Sequence, residues 1–249
     1  MKISLIIPCY NEELNIQKGV LDKIGNYTLN NDLFLEVIIS DDGSTDKTKK
    51  IIKEKYLPAF PKFKLLENHH QGKAYAIISG IKKSKGDWVM FSDIDLATPI
   101  DEAEKLINFA KKNFSIIIGS RNNQRQGAPL IRKIMAKGFI LIRNFLIGLK
   151  NIKDTQCGFK LFEKQKALKI IDNLKVFGEK RKTKGSSVSA GFDLEFLYLA
   201  EKYKFKIKEV PVIWHHVETK NVNFFKDSIE TLIDIAKILY YHKMTLNNI

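Results

Sequence analysis

The chain has 249 residues, 44% of them hydrophobic, which suits one large core and a single α/β domain rather than a disordered or fibrous chain. Its 42 Lys and Arg against 28 Asp and Glu give a formal charge of +14, which fits nucleic acid, an anionic membrane leaflet, a phosphorylated substrate or simply a Lys-rich solvated surface. No run reaches the ~18 apolar residues of a membrane span, no signal-peptide core follows the N-terminus, and Cys9 and Cys157 lie far apart, so a spanning helix, export, a disulfide framework and a zinc site are all unsupported and a cytosolic chain is expected.

Short β-rich apolar runs alternate with helical patterns along the first half. KISLIIP precedes a helix from Glu12 to Ile24, and FLEVIIS one from Asp46 to Lys55. FKLLEN leads to a helix from Lys73 to Lys83, DWVMFS to one from Asp101 to Lys112, and SIIIGS closes the series. This is the βαβ rhythm of a mostly parallel sheet flanked by helices. The second half predicts a long helix from Pro129 to about Leu149, a turn and strand in DTQCGFKLF, and a helix from Glu163. A polar, breaker-rich loop between Asp172 and Gly191 follows, then a helix from Phe192 to Tyr203, a strand from Lys206 to Trp214 and a closing helix from Asn223 to about His242. With no repeat and no boundary, residues 1–249 are expected to form a single domain.

Ligands of such sheets collect at the carboxyl ends of the strands. Here those ends read PCYNEE, SDDGSTD, ENHHQGK, SDIDLAT and GSRNN, all polar and four of the five carrying acidic residues. No G-x-G-x-x-G and no phosphate-cradling P-loop is present, which removes a dinucleotide-dependent redox enzyme and an ATPase. Asp93 and Asp95 face the same side if the strand stays extended that far. Paired carboxylates repel by about 1 kcal/mol even in water-like surroundings, and a divalent ion, Mg2+ or Mn2+, relieves this using one or two protein oxygens plus water and substrate phosphates. The plain alternative is a turn or helix-cap pair. Asp41 or Asp42 can accept hydrogen bonds from a base or ribose, Gly43 permits close backbone approach, and Asp46 caps the following helix; alone, this stretch could be no more than a turn and a cap. The adjacent pairs His69-His70 and His215-His216 have no helical ligand spacing and read as surface or hydrogen-bonded residues.

SLIIPCYNEE, VIISDDGSTDKT, GDWVMFSDID and IGSR together resemble the family-2 inverting glycosyltransferases, whose fold is the Rossmann-like GT-A fold. Further on, DTQCGFKLF, GFDLEFLYLA and EVPVIWHH look like the branch that contains dolichyl-phosphate β-glucosyltransferase, extending the resemblance over nearly the whole chain. The resemblance implies that 1–125 bind the nucleotide sugar and 126–249 the acceptor. It implies that Pro8, Tyr10, Glu12 and Asp42 line a nucleoside pocket with Asp41 beside them, and that Asp93 lies near the ribose or metal. Asp95 would bind the metal that holds the donor diphosphate, while Arg121 and Lys73 would meet phosphates. Cations at those places neutralise a leaving diphosphate. A surface ion pair is the alternative for Arg121.

The implied reaction moves glucose from UDP-glucose onto a polyprenyl phosphate with inversion. A phosphate monoester, with a second pKa of about 6, needs no dedicated base, and Arg132, Lys137 or Arg143 would steer it. A hydroxyl acceptor would need a base, for which Asp193 and Glu195 are the candidates. A GDP-mannose donor is the nearest alternative. Nucleic acid is not expected as a partner, because the strand ends are acidic and no recognition motif is present. The helix from Pro129 to Leu149 mixes apolar and basic residues, so it suits either an anionic membrane interface or burial against the sheet. The closing helix, with Phe225, Ile229, Leu232, Ile233, Ala236, Leu239 and Tyr240, reads as core packing. A chain held peripherally on the cytoplasmic face of a membrane is expected. Two features depart from the eukaryotic members of that branch, a longer loop over 178–189 and Ser189-Ala190-Gly191 where aromatic residues stand before Phe192-Asp193, and the N-terminal anchor of those members is not expected here.

Overall fold

Strand β1 (Ile3–Cys9) is buried along its whole length, and its alternate side chains enter two separate apolar clusters, Ile3, Leu5 and Ile7 on one face and Ile6 on the other. Such two-sided burial belongs to a sheet covered by helices on both faces. The structure, a computed structural model, describes residues 1–121, 140, 143–149, 152–178, 190–215 and 224–244. After β1 come α1 (Glu13–Gln17), α2 (Val20–Leu29), β2 (Phe34–Asp41), α3 (Thr48–Ile51), a π-turn (Ile52–Tyr56), α4 (Leu57–Ala59), β3 (Phe63–Glu67), α5 (Lys73–Lys83) and β4 (Trp88–Ser92). The 3-10 turn Ile100–Glu102, α6 (Ala103–Ala110), β5 (Ile116–Ser120), β6 (Phe159–Glu163), α7 (Lys164–Ile171), α8 (Ala190–Lys202), β7 (Ile207–Pro211) and α9 (Phe224–Met244) complete the order.

The seven strands form one sheet in the order β3-β2-β1-β4-β6-β5-β7. All neighbours are parallel except β6, which runs antiparallel to both β4 and β5. That reversal puts the start of β6 beside the carboxyl ends of β4 and β5, with Phe159 opposite Ser92. One face of the sheet buries Ile16, Leu21 and Ile24 of α1 and α2 with Leu106 and Ile107 of α6. The other buries Ile77, Ile78 and Ile81 of α5, Ile170 of α7, Phe196 of α8 and Ile238 of α9.

Several expected elements differ in detail. The first helix breaks at Gly19, whose φ of 79° lies in the left-handed region, and resumes as α2 as far as Leu29. The helix expected over Asp46 to Lys55 is α3, the π-turn and α4 in succession. Asp46 Oδ1 accepts from the Thr48 N–H at 2.9 Å, as a capping residue should, while its Oδ2 accepts from the Glu13 N–H at 3.2 Å. Residues 143–147 are helical and end before Gly148, and the rest of the helix expected from Pro129 lies largely outside the described residues, as do 179–189. On α9 the buried stripe is Thr231, Ile235, Ile238 and His242, whereas Ile229, Leu232, Ile233 and Tyr240, expected in the core, are exposed. Thr231, Ile235, Ile238 and His242 follow helical spacing and are the side that reaches the protein interior, which leaves the other stripe outside.

Glu195, weighed above as a base, is fully buried and holds this corner together. Its carboxylate accepts from the backbone N–H groups of Lys175 at 2.6 Å, Val176 at 3.1 Å and Phe177 at 2.8 Å, and lies 2.8 Å from His242 Nε2 on α9. Replacing Glu195 by Ala would leave the buried Phe177 N–H, the half-buried Val176 N–H and the buried His242 without their acceptor, so the variant is expected to lose about 3 kcal/mol of stability in urea denaturation.

Candidate active site

Consecutive strands β1, β2 and β3 run outward in one direction, and the chain then returns to place β4 on the other side of β1. The crevice at the carboxyl ends of β1 and β4 is therefore the topological switch point, the preferred ligand position in open α/β sheets. Its walls are residues 10–13 after β1, 42–47 after β2, 68–73 after β3, 93–97 after β4, Arg121 after β5 and 154–158 before β6.

The first two walls are stitched together by side chains. Asn11, at a φ of 54°, accepts from the Thr45 N–H at 2.8 Å, its own N–H donates to Ser44 Oγ at 2.9 Å, and the Glu12 N–H donates to Thr48 Oγ1 at 2.8 Å. Asp41 is 0% exposed and accepts from the N–H groups of Gly43 and Ser44 at 3.0 Å each. Asp42 is 2% exposed; its Oδ1 accepts from the Gln71 N–H at 2.9 Å, and its Oδ2 accepts from the Gly72 N–H and contacts His70 Nδ1, both at 2.8 Å. Buried carboxylates must have donors, and backbone amides of the same loops supply them at both residues, which stand at the rim beside Tyr10 and Glu12. Tyr10 and Glu12 sit half-buried beside them, and Pro8 is buried within β1 opposite Ser40. The Tyr10 ring stacks on His70 with centroids 4.3 Å apart.

The carboxylate pair lies in a turn rather than on an extended strand. β4 stops at Ser92, the Leu96 N–H donates to the Asp93 carbonyl at 3.3 Å, and Leu96 adopts a φ of 51°. The Asp93 side chain packs against Gly158, where an added Cβ would fall 2.1 Å from Asp93 Oδ2. Lys73, the first residue of α5, places its Nζ 2.5 Å from Asp93 Oδ1, a charge contact at an oxygen that is buried and accepts no well-directed hydrogen bond. Burial lowers the Lys73 ammonium pKa, but the carboxylates of Asp93, Asp193 and Asp95 outweigh this and raise it. Asp95 Oδ1 accepts from the Ala97 N–H at 3.0 Å, and burial, with Asp93 nearby, pushes its carboxyl above the ordinary carboxylate range. Asp193 Oδ1 accepts at 2.7 Å from Lys160, a lysine whose side chain is 1% exposed.

Arg121 is held bidentately by Asp154, Nε donating to Oδ2 at 2.7 Å and Nη2 to Oδ1 at 2.8 Å, leaving Nη1 without a partner among the described residues. Asp154 also accepts from the Arg121 N–H at 3.0 Å and the Gln156 N–H at 3.1 Å, while its own N–H donates to Glu209 Oε1 at 2.8 Å. Burial raises the Asp154 carboxyl, yet the Arg121 guanidinium overcomes this and holds it at about 2.

A family model described as glycosyl transferase family 2 matches residues 4–170. The chain belongs to glycosyltransferase family 2. It is 30% identical over 256 residues to dolichyl-phosphate beta-glucosyltransferase of Saccharomyces cerevisiae, covering 95% of this chain and 73% of that protein. To the enzyme of the same name from Homo sapiens it is 31% identical over 237 residues, 87% of this chain and 68% of the other. Among solved structures, glucosyl-3-phosphoglycerate synthase from Mycobacterium tuberculosis in complex with UDP aligns with a TM-score of 0.67 at 16% identity, over 96% of this chain and 80% of that one. Mannosyl-3-phosphoglycerate synthase from Rubrobacter xylanophilus aligns with a TM-score of 0.70 at 13% identity, over 98% and 75%. These likenesses establish the GT-A fold of this family-2 glycosyltransferase.

The residues at the switch point suit a hard divalent cation. Asp93 carries a buried oxygen with no directed hydrogen bond, and Asp95 has a carboxyl disfavoured as an anion by burial and by Asp93. No group of three or more His, Cys, Asp or Glu side chains converges for a metal among the described residues, so an ion here would complete its shell with water and phosphate oxygens. Arg143, expected to meet the acceptor, is 3% exposed and spends its guanidinium on the Ile152 carbonyl at 2.6 Å, Thr155 Oγ1 at 3.1 Å and Asn144 Oδ1 at 2.8 Å. It therefore braces the segment leading to Asp154, while Arg132 and Lys137 lie outside the described residues. Asp154, Gly158, His70 and Lys160 were not foreseen as parts of the site; all but His70 stand in DTQCGFK, whose run of small and polar residues before an apolar strand was the available signal.

In this family-2 enzyme, Gly158→Ala should push Asp93 out of place and lower the sugar-transfer rate about 100-fold with little change in urea denaturation, since a misplacement near 1 Å suffices. Asp154 titrates at about 2 in the folded chain, below an ordinary carboxylate, so its contribution is complete above pH ~4 and is lost as pH falls toward 2. Asp154→Asn is expected to be about 2 kcal/mol less stable at pH 7 and to show a flatter stability profile between pH ~4 and 2, read by denaturation at each pH.

Proposed function

We propose that this enzyme transfers glucose from UDP-glucose to a polyprenyl phosphate with inversion at the anomeric carbon. The names of the curated relatives support the donor sugar and the acceptor class. The observation that carries the reading is the meeting of Asp93, Asp95 and Lys73 at the switch point, with Arg121 at the adjoining strand end. Tyr10 and Glu12 flank the nucleoside, and the Tyr10-His70 stack offers an aromatic surface for its base. Asp95 and Asp93 would hold Mg2+ or Mn2+, which when bound neutralises the diphosphate as the sugar bond breaks. Lys73 and Arg121 add positive charge toward the same phosphates.

An acceptor phosphate oxygen attacks the anomeric carbon from the face opposite the diphosphate; the new C–O bond forms as the old one breaks, and its electron pair leaves with UDP. The acceptor is already ionised, with a second pKa of about 6, so no protein group need remove a proton. This agrees with Asp193 being engaged by Lys160 rather than poised as a base. Arg132 and Lys137 are assigned to the acceptor phosphate, and residues 126–249 to the acceptor side. Ile229, Leu232, Ile233, Tyr240 and Tyr241 are exposed along α9, and Phe145 is 87% exposed. With a chain charge of +14, these support peripheral contact with the anionic cytoplasmic face of a membrane. No described helix is long and apolar enough to cross one.

Radiolabelled UDP-glucose, a polyprenyl phosphate and Mg2+ or Mn2+ should give an organic-extractable, mild-acid-labile glucolipid. Asp95→Ala is expected to reduce its formation about 100-fold or more with the circular dichroism spectrum retained. Label transferred only from GDP-mannose would overturn the donor assignment.

A further inference from the structure

Lys73 is placed against two ordinary preferences. It opens an 11-residue helix, where a cation opposes the helix dipole, and it follows Gly72, whose φ of 95° and ψ of 166° are open only to glycine. Two features hold it there. Asp42 accepts from the Gly72 N–H and fixes the backbone, and Asp93 Oδ1 receives the ammonium at 2.5 Å. Asp95 and Asp193 add their fields to the same ammonium. The contact therefore supplies the charge that the carboxylate pair requires, but it does so on an oxygen that a divalent ion would use. An ammonium on a four-carbon stem can leave that oxygen for another anion within reach without moving the backbone.

We propose that Lys73 is an exchangeable counter-ion: it neutralises Asp93 in the empty site and passes to the donor diphosphate when a divalent ion takes Asp93. This rests on the nucleotide-sugar reading above and goes beyond it by making ion and diphosphate binding interdependent. Neither partner alone has full access to its ligands. The ion must displace Lys73 from Asp93, and the diphosphate must draw Lys73 away from Asp93. Each makes the other's entry more favourable, which is a coupling between two ligands through one side chain.

Lys73→Met separates the two halves of the exchange in binding measurements that need no turnover. Mn2+ binding without nucleotide, followed by the paramagnetic signal of the free ion, should tighten about tenfold, because the competing cation is gone. UDP binding without metal, followed by calorimetry, should weaken about tenfold, whereas uridine, which lacks the diphosphate, should change by less than about twofold. Lys73→Arg should stay within about threefold of the parent in both measurements, since it keeps the charge. Asp93→Asn should bind metal-free UDP more tightly than the parent, because Lys73 is released from its partner. Circular dichroism checks that each variant is folded. Unchanged Mn2+ affinity in Lys73→Met would show that Lys73 does not compete for Asp93, and unchanged UDP affinity would show that it never reaches the diphosphate; either overturns the exchange. If the parent protein fails to bind UDP even with Mn2+, the nucleotide-sugar reading falls and the exchange with it, so the two failures are distinguishable.

Discussion

Negative charge gathered at the half-buried edge of a sheet is the constraint around which this molecule is arranged. Asp93 and Asp95 approach one another in the turn after β4, where burial and mutual repulsion both disfavour two anions. Nearby groups make the pair tolerable. Lys73 supplies an ammonium from the preceding helix α5, and Gly158 supplies a space that only a residue without a side chain can leave. Gly158 reaches the pair only through the antiparallel β6, which brings the 154–158 segment alongside the end of β4. The cation contact and the glycine contact together hold Asp93 from two sides.

The other acidic residues of the strand ends do a different kind of work. Asp41, Asp42 and Asp46 spend their oxygens on backbone N–H groups of the loops around them, which would otherwise be buried donors without acceptors. Asp42 is the link between that scaffold and the chemistry, because the amide it holds belongs to the residue immediately before Lys73. A similar division of labour appears at Arg121. Asp154 takes one edge of the guanidinium and so fixes the plane of the other, and Glu209 and the buried Arg143 hold the segment that carries Asp154. Residues that look interchangeable as charges therefore separate into those that face the crevice and those whose oxygens are spent on holding its walls.

The division also explains which parts of the site could be read early. Asp93, Asp95 and Arg121 stand just after apolar strand runs and Lys73 ends the loop that follows β3, and chain topology alone carries such residues to one edge of a parallel sheet. Gly158 and Asp154 precede a strand rather than follow one, so they reach the same edge only because that strand is reversed. Asp41 and Asp42 were legible as acidic residues at a strand end but not as buried ones. Whether a carboxylate meets solvent or two neighbouring amides, as each of these does, depends on how two loops fold over it, and residue type says nothing about that.

The sequence by itself determined the alternation of strands and helices, the two-sided burial of the sheet and the concentration of charge along one rim, because periodicity and polarity are local properties of the chain. It also carried the family through motifs whose spacing follows from that alternation. Only the tertiary structure decided the antiparallel placement of β6, the outward-facing apolar stripe of α9, the burial of Arg143 and Glu195, and the pairing of Lys73 with Asp93. Each of these depends on contacts between segments distant in sequence, where packing geometry, rather than any single residue's preference, selects the partner of each charge.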